Sequence, residues 1–288
     1  MAANDRHLTT HTRPIDVGWE TWTLLAAAIA AVAISTYARG VVGAAWFFTT
    51  DNLARSAPIA IPFLIAAGVV VGAGRWPAAG RWLAMGAILL ALGGALSAVT
   101  ELAFAAVAAS GGLMDLTGWF SAIGTLNGAA TTTGFAALAI GLWGSAGGAW
   151  GMARTVAAVG AAIVTLVAAA GPIVTTTLSG VRIGSDTLLP TLLSVGLTSA
   201  TIAAIGALAV AAIRAAPART PLPELLIAAG ATVHAAVLGL MYWVLWTFID
   251  DQAIAFVIVD ITVPLGDVAA LVLAAGFASG ALFWPAED

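Results

Sequence analysis

The sequence predicts an all-α polytopic membrane protein of about eight transmembrane helices in four hairpins, with both termini cytoplasmic. Three observations carry this. Of 288 residues, 61% are hydrophobic and only 8% charged, against roughly 25% charged in soluble domains, and the mean hydropathy is +1.03. Several apolar runs approach or exceed the ~20 residues that cross a ~30 Å hydrocarbon layer as helix. Arginine and tryptophan then fall at alternate ends of those runs, as a bilayer requires. The ~10-residue apolar–polar alternation of a membrane β-barrel is missing.

The elements follow in order. A polar tail over 1–19, "MAANDRHLTTHTRPID" and onward, reads as a retained cytoplasmic segment leading into a first helix that doubles as signal-anchor. Spans are expected at 20–38, 57–74, 82–109, 117–143, 154–178, 187–213, 224–248 and 254–283. Between them stand turn and helix-stop signals: "GAGRWPAAGRW", "ASGGLMDLTGW", "GSAGGAWG", "LSGVRIGSD", "AAPARTPLPE" and "FIDDQ". The membrane bundle covers 20–284, and 285–288 form a short cytoplasmic end.

Orientation comes from the arginines. Arg6, Arg13, Arg75, Arg81, Arg154, Arg214 and Arg219 fall on one side, Arg39, Arg55 and Arg182 on the other. The richer side is cytoplasmic, and an even number of spans puts both termini there. Aromatic residues agree: Trp19, Trp22, Trp76, Trp82, Trp143 and Trp150 sit at inner ends, and Trp46, Trp119 and Trp246 at outer ends. The hairpins, near 20–75, 80–145, 152–215 and 222–284, carry similar acidic outer turns, and a repeated unit would place a functional site between repeats near mid-membrane. Small residues at three- and four-residue steps, as in "GAILLALGGALSA", favour close helix approach within the chain.

Composition excludes much. The chain has no cysteine, so disulfides, thiolate metal sites and cysteine nucleophiles are ruled out. All ten basic residues are arginine, so no lysine Schiff base forms. A net charge of -4 without charge blocks gives no nucleic-acid partner. No phosphate-binding glycine loop occurs. Ser145 is placed at the inner edge and His234 about 15 Å deeper, beyond the reach of a catalytic dyad. The expectation is a protein that is not an enzyme, with no cofactor or metal.

Ionisable groups at mid-bilayer cost at least ~2.5–3.5 kcal/mol on insertion scales and mark function by default. Four stand out. At 1.5 Å per residue, His234 and Asp267 both fall near the midplane, on consecutive helices, while Asp260 and Glu101 fall in the outer third. A His234–Asp267 pair could carry a proton near neutral pH. Asp260 and Asp267, two turns apart, share one helix face and with Glu101 could line an outward-opening acidic vestibule. Glu101 could instead meet Arg39 or Arg182. Pro264 leaves two arrangements open: a kink inside one long helix, or the first turn of a shorter one with Asp260 in a loop. Asn127, Thr131 and Thr132, with Thr133, add uncharged polarity at mid-depth in the fourth span, and the first three are candidates to line a pathway; Thr175, Thr176 and Thr177 add it in the fifth, where Gly171-Pro172 frees backbone carbonyls.

The reading this supports is a transporter or channel for a small solute or ion, coupled to protons or another cation through Asp267, His234, Asp260 and Glu101. The alternative is a non-catalytic membrane subunit that anchors or stabilises a larger complex; a lipid-handling protein is a third. Partners are the bilayer, a small ion or solute, and other membrane subunits or further copies of the chain. The location is the inner, cytoplasmic membrane of a bacterial or archaeal cell. Impermeant labelling of intact cells at cysteines placed near 112 and 250 should succeed, and labelling near 148 should require permeabilised cells; the reverse pattern would invert the topology.

Overall fold

The computed structural model describes residues 17–43, 50–110, 117–145, 151–178, 185–217, 220–248 and 252–283. All of their regular structure is helical. The helices are α1 Trp19–Gly43, α2 Thr50–Ser56, α3 Ile61–Gly72, α4 Gly80–Ser110, α5 Thr117–Gly144, α6 Met152–Leu178, α7 Ser185–Ala215, α8 Leu222–Thr247 and α9 Gln252–Ser279. A 3₁₀ turn at Ala57–Ala60, carrying Pro58, joins α2 to α3, so the second span runs as one helical segment over Asn52–Arg75, beginning earlier than the expected 57. The tail before residue 17, Arg182 and the acidic outer turns "LMDL" and "IDD" lie outside the described residues.

Seven helical segments are long and apolar enough to cross a membrane. The eighth expected span, α5, has the length, 28 residues or roughly 42 Å. Asn127, Thr131, Thr132 and Thr133 lower its apolarity. Its packing still marks it as a crossing helix. It runs antiparallel along α4, with a Cβ at Gly141 meeting Trp82 and one at Gly134 meeting Leu90, and with Asn127 bonded to Ser97 farther along. Where α4 crosses, α5 crosses beside it.

The helices form a closed circuit in which α3 packs on α4, α4 on α5, α5 on α7, α7 on α8, α8 on α9, and α9 back on α3. Outside this ring α1 lies on α3 and α4, and α6 lies on α7 and α8. The same pattern therefore occurs twice. In each run of four spans the first packs on the second and third, the second on the third, and the third on the fourth. The halves, 19–144 and 152–279, join through two seams, α3–α9 and α5–α7. Even the fourth helices match in length, at 28 residues each. The four expected hairpins are thus grouped in pairs.

Packing changes along the bundle. Toward the end that carries Arg75 and Arg214, α7 is buried at Ile202, Ala204, Ile205, Leu208, Ala209 and Ala212, and α5 at Phe135, Leu138, Ala139 and Leu142. Toward the opposite end, Leu189, Pro190, Leu192, Leu193, Ser194 and Gly196 of α7 are exposed, as are Ser121, Ala122, Gly124 and Leu126 of α5. Neighbouring exposed positions on α7 point to different sides of the helix, so lipid on one face does not account for them. The bundle is closed at the Arg75 end and splayed at the other.

Glycine makes the closed end tight. A Cβ at Gly230 of α8 would lie 2.6 Å from the Leu273 nitrogen and 2.7 Å from the Ala269 oxygen of α9. Backbone, not a flexible side chain, blocks it. In lipid such contact replaces the hydrophobic effect as the source of helix association. Gly230→Ala should destabilise the bundle by about 1–3 kcal/mol, read as a lower thermal midpoint in detergent, whereas Gly160→Ala, with open space around it, should not.

Candidate functional site

The site is framed by how the two ends are held. At the closed end Arg75, in the 3₁₀ turn after α3, reaches Glu224 in the first turn of α8. Its Nε donates to Oε1 at 2.7 Å and its Nη2 to Oε2 at 3.0 Å. The two side chains are 4% and 1% exposed. Arg75 also donates to the Thr220 carbonyl at 2.6 Å and to the Phe283 carbonyl beyond α9. Trp76 Nε1 donates to Glu224 Oε1 at 3.1 Å, and its ring meets Phe277 of α9 edge-on. A buried ion pair is tolerable only when its remaining donors and lone pairs are satisfied, and here they are. One guanidinium ties together α3, α8 and the end of α9.

The other seam has its own arginine at the same end. Arg214, in the last turn of α7, stacks its guanidinium 4.1 Å from the ring centre of Trp143 near the end of α5, a cation–π contact. Each half thus sends an arginine from the end of its second span to the end of the other half's fourth.

Above the closed end, polar side chains link neighbouring helices. Asn127 Nδ2 donates to Ser97 Oγ at 2.8 Å between α5 and α4, and Thr131 donates to Asn127 Oδ1 at 3.4 Å. Thr132 and Thr201 share a hydrogen bond of 2.7 Å between α5 and α7. Just beyond, the α5–α7 seam parts around a cavity of about 470 Å³ whose lining includes Ser121, Thr125, Thr131, Ser194, Thr198 and Thr201 beside Leu197, Ile202 and Leu238. Its lining carries no charge.

The ionisable residues expected at the site are scattered. Glu101 pairs with Arg39 at 2.7 Å and accepts the Ser35 hydroxyl, so it faces α1. α9 packs on α3 and α8, and the expected vestibule combining Glu101 with Asp260 and Asp267 does not form. The expected His234–Asp267 pair does not form either. His234 Nδ1 lies 2.9 Å from the Gly266 carbonyl oxygen, so the imidazole meets α9 backbone while the neighbouring carboxylate points elsewhere. Depth matched these two residues, but rotation about the helix axes separates them.

Pro264 lies within one continuous helix, Gln252–Ser279, which settles the two arrangements left open by the sequence. Asp260 is therefore helical and exposed, and Asp267 is half-buried near mid-helix. Asp267 has no hydrogen bond or ion pair among the described residues. Thr175 donates to the Tyr242 carbonyl at 2.9 Å, and Thr176 and Thr177 bond within α6. Among the described residues no group of three or more His, Asp or Glu gathers as a metal site would.

Sequence reasoning missed the Arg75–Glu224 pair, whose members stand 149 positions apart. The one available signal was an acid, Glu224, in a first turn at the membrane level where arginines gather. Of the seam cavity, sequence reasoning singled out Thr131 but not Ser121, Thr125, Ser194, Thr198 or Thr201, because hydroxyls that bond their own helix carbonyls leave no signal of the face they line. Comparison with known proteins adds no family: no protein-family model, curated protein or solved structure matches this chain.

Glu224→Gln should remove the charge that balances a buried guanidinium and destabilise the fold by about 3–5 kcal/mol. Arg75→Lys should not restore stability to wild type, because an ammonium lacks the fork that reaches Glu224 and two carbonyls. Thermal unfolding in detergent reads both.

Proposed function

We propose that the chain is a membrane transporter or channel for a small polar solute or ion. One observation carries the reading: the ring of six helices is packed shut around the Arg75 end and parted at the other, with a cavity that serine and threonine help to line in the parted region. Such a shape admits a solute from one face only. Passage to the second face then requires the seams α3–α9 and α5–α7 to separate where Arg75 and Arg214 hold them. Two packing-equivalent halves joined by two seams suit a rocking motion of one half against the other.

Coupling to protons is the finer part of the proposal. Asp267 is its best carrier, being half-buried at mid-helix without a partner among the described residues. His234, held against the Gly266 carbonyl one position away, would sense its state through the α8–α9 contact. Asp260 lies on the same side of α9 toward the open end. Glu101, engaged by Arg39, belongs to a different wall.

A second reading has its own observation. Asp260 is exposed on a face of α9 otherwise made of Ile254, Val257, Ile261, Leu265 and Val268. A carboxylate facing lipid is costly, so a covering membrane partner would relieve it. On that reading the chain is a subunit of a larger assembly, and stoichiometric companions would survive isolation in mild detergent.

Because the chain is free of cysteine, accessibility is directly testable. Thr198→Cys should react with an impermeant thiol reagent from the open face, and Ala209→Cys should not. In proteoliposomes with an entrapped pH dye, Asp267→Asn should cut acid-driven proton uptake at least about tenfold with an unchanged melting midpoint, the loss expected when a group within the transfer path is removed. Equal labelling of both cysteines would remove the one-sided opening on which the transport reading rests, and unchanged uptake would remove Asp267 as the proton carrier.

A further inference from the structure

The two seams of the closed end follow one plan and are finished differently. At the α3–α9 seam Arg75 has an acceptor for Nε, Nη1 and Nη2, supplied by both oxygens of Glu224 and by the Thr220 and Phe283 carbonyls. At the α5–α7 seam Arg214 has none. Trp143 covers one face of its guanidinium, which leaves the N–H groups along the edge without acceptors. Nε is buried and unpartnered, and neither Nη finds an acceptor among the described residues.

The sequence gives the reason. Glu224 is the third residue of α8, the third span of its half. In the first half that span is α4, which opens Gly80, Arg81, Trp82, Leu83, with a cation and an indole where the acid would stand. The other described carboxylate of this end, Glu20, is in the first turn of α1, and α1 lies on α3 and α4.

A second guanidinium stands at the same level. Arg154, in the first turn of α6, shares a helix face with Ala158, Ala161 and Thr165. Thr165 meets Gly206 of α7, so the antiparallel register brings Arg154 level with the end of α7 that carries Arg214. Arg154 is half-buried. Of Arg75, Arg81, Arg154 and Arg214, only Arg75 has its charge balanced by a described acid. Uncompensated charge near hydrocarbon is costly, so an anion from outside the chain is favoured where Glu224 has no counterpart.

We propose that the closed end of the α5–α7 seam binds the phosphate group of an anionic ester between Arg214 and Arg154. With Nε covered and the ring face occupied, Arg214 offers Nη1 and Nη2, an end-on fork that matches two phosphate oxygens. Ile140 and Trp143, both exposed and three positions apart on one side of α5, give the ester's first methylenes an apolar track toward the hydrocarbon. Basic gaps between helix ends at a membrane surface take anionic headgroups in this way. The group comes from a phospholipid headgroup or from a soluble phosphate ester. Bound there, it completes the α5–α7 seam as Glu224 completes the other. This inference stands independently of transport.

The test uses the full chain in nanodiscs of mixed phosphatidylglycerol and phosphatidylcholine, with retained lipid read by native mass spectrometry and inorganic phosphate added as competitor. Phosphatidylglycerol should be retained over phosphatidylcholine. Arg214→Gln and Arg154→Gln should each reduce that preference roughly tenfold, the loss of one charge-assisted contact, and Arg81→Gln should not. Arg154 holds no other group among the described residues, so its variant reads binding even where Arg214→Gln lowers the melting midpoint. Displacement by inorganic phosphate assigns the site to a soluble ester, and resistance to displacement assigns it to lipid. An equal loss in Arg81→Gln would spread the preference over the whole basic rim and overturn the site. A wild-type preference in Arg154→Gln would overturn it too, as would no preference for phosphatidylglycerol together with no phosphate binding by calorimetry.

Discussion

The buried pair of Arg75 and Glu224 is the constraint around which the molecule is arranged. In a bilayer the hydrophobic effect does not drive helices together, so association rests on close contact and on polar groups that must find each other. A guanidinium withdrawn from water at the end of α3 has a stable solution only where a carboxylate and carbonyl oxygens converge, which requires the start of α8 and the end of α9 at one point. That convergence sets the α3–α9 seam. Arg214 on Trp143 does the corresponding work at the α5–α7 seam with a softer contact.

From these fixed ends the rest of the packing gradient follows. Alanine, glycine and leucine fill the closed half, where backbones approach within contact of each other's atoms. Toward the other end the helices diverge, and hydroxyls replace methyl groups on the facing surfaces of α5 and α7. The start of the second span reinforces this: α2 packs on α1 and not along α9, so the α3–α9 seam is zipped toward Arg75 and not at the opposite end. The two halves share a packing pattern while differing at one joint, the Arg39–Glu101 ion pair in the first and the Trp243 indole on the Val167 carbonyl in the second.

Much of the fold was legible in the sequence because burial in lipid writes itself as length and apolarity. The eight helices appear near their expected positions, and Pro264 falls inside a helix, in keeping with the apolar "AIAFVIV" before it. α5 was legible too, although its polar residues lower its apolarity. Asn127 and Thr132 are tolerated because they meet Ser97 of α4 and Thr201 of α7, and Thr133 because it bonds its own helix carbonyls. The site was less legible. Sequence gives depth along a helix but not rotation about it, so His234 and Asp267 looked like partners and Glu101 looked like a neighbour of Asp260. The contact of Glu101 with Arg39 was readable because both are charged and both belong to the same level along the bundle. Arg75 looked like a cytoplasmic loop charge, since nothing local reveals that a residue 149 positions away will bury it.

The central claim is that one half of the membrane thickness is sealed and the other is wet. Hydrogen exchange by mass spectrometry on the full chain in nanodiscs reads this along a single helix. Peptides over 202–213 of α7 should stay protected while those over 189–201 exchange markedly faster. Equal protection of the two stretches would mean that the bundle is closed throughout, and would contradict the whole picture.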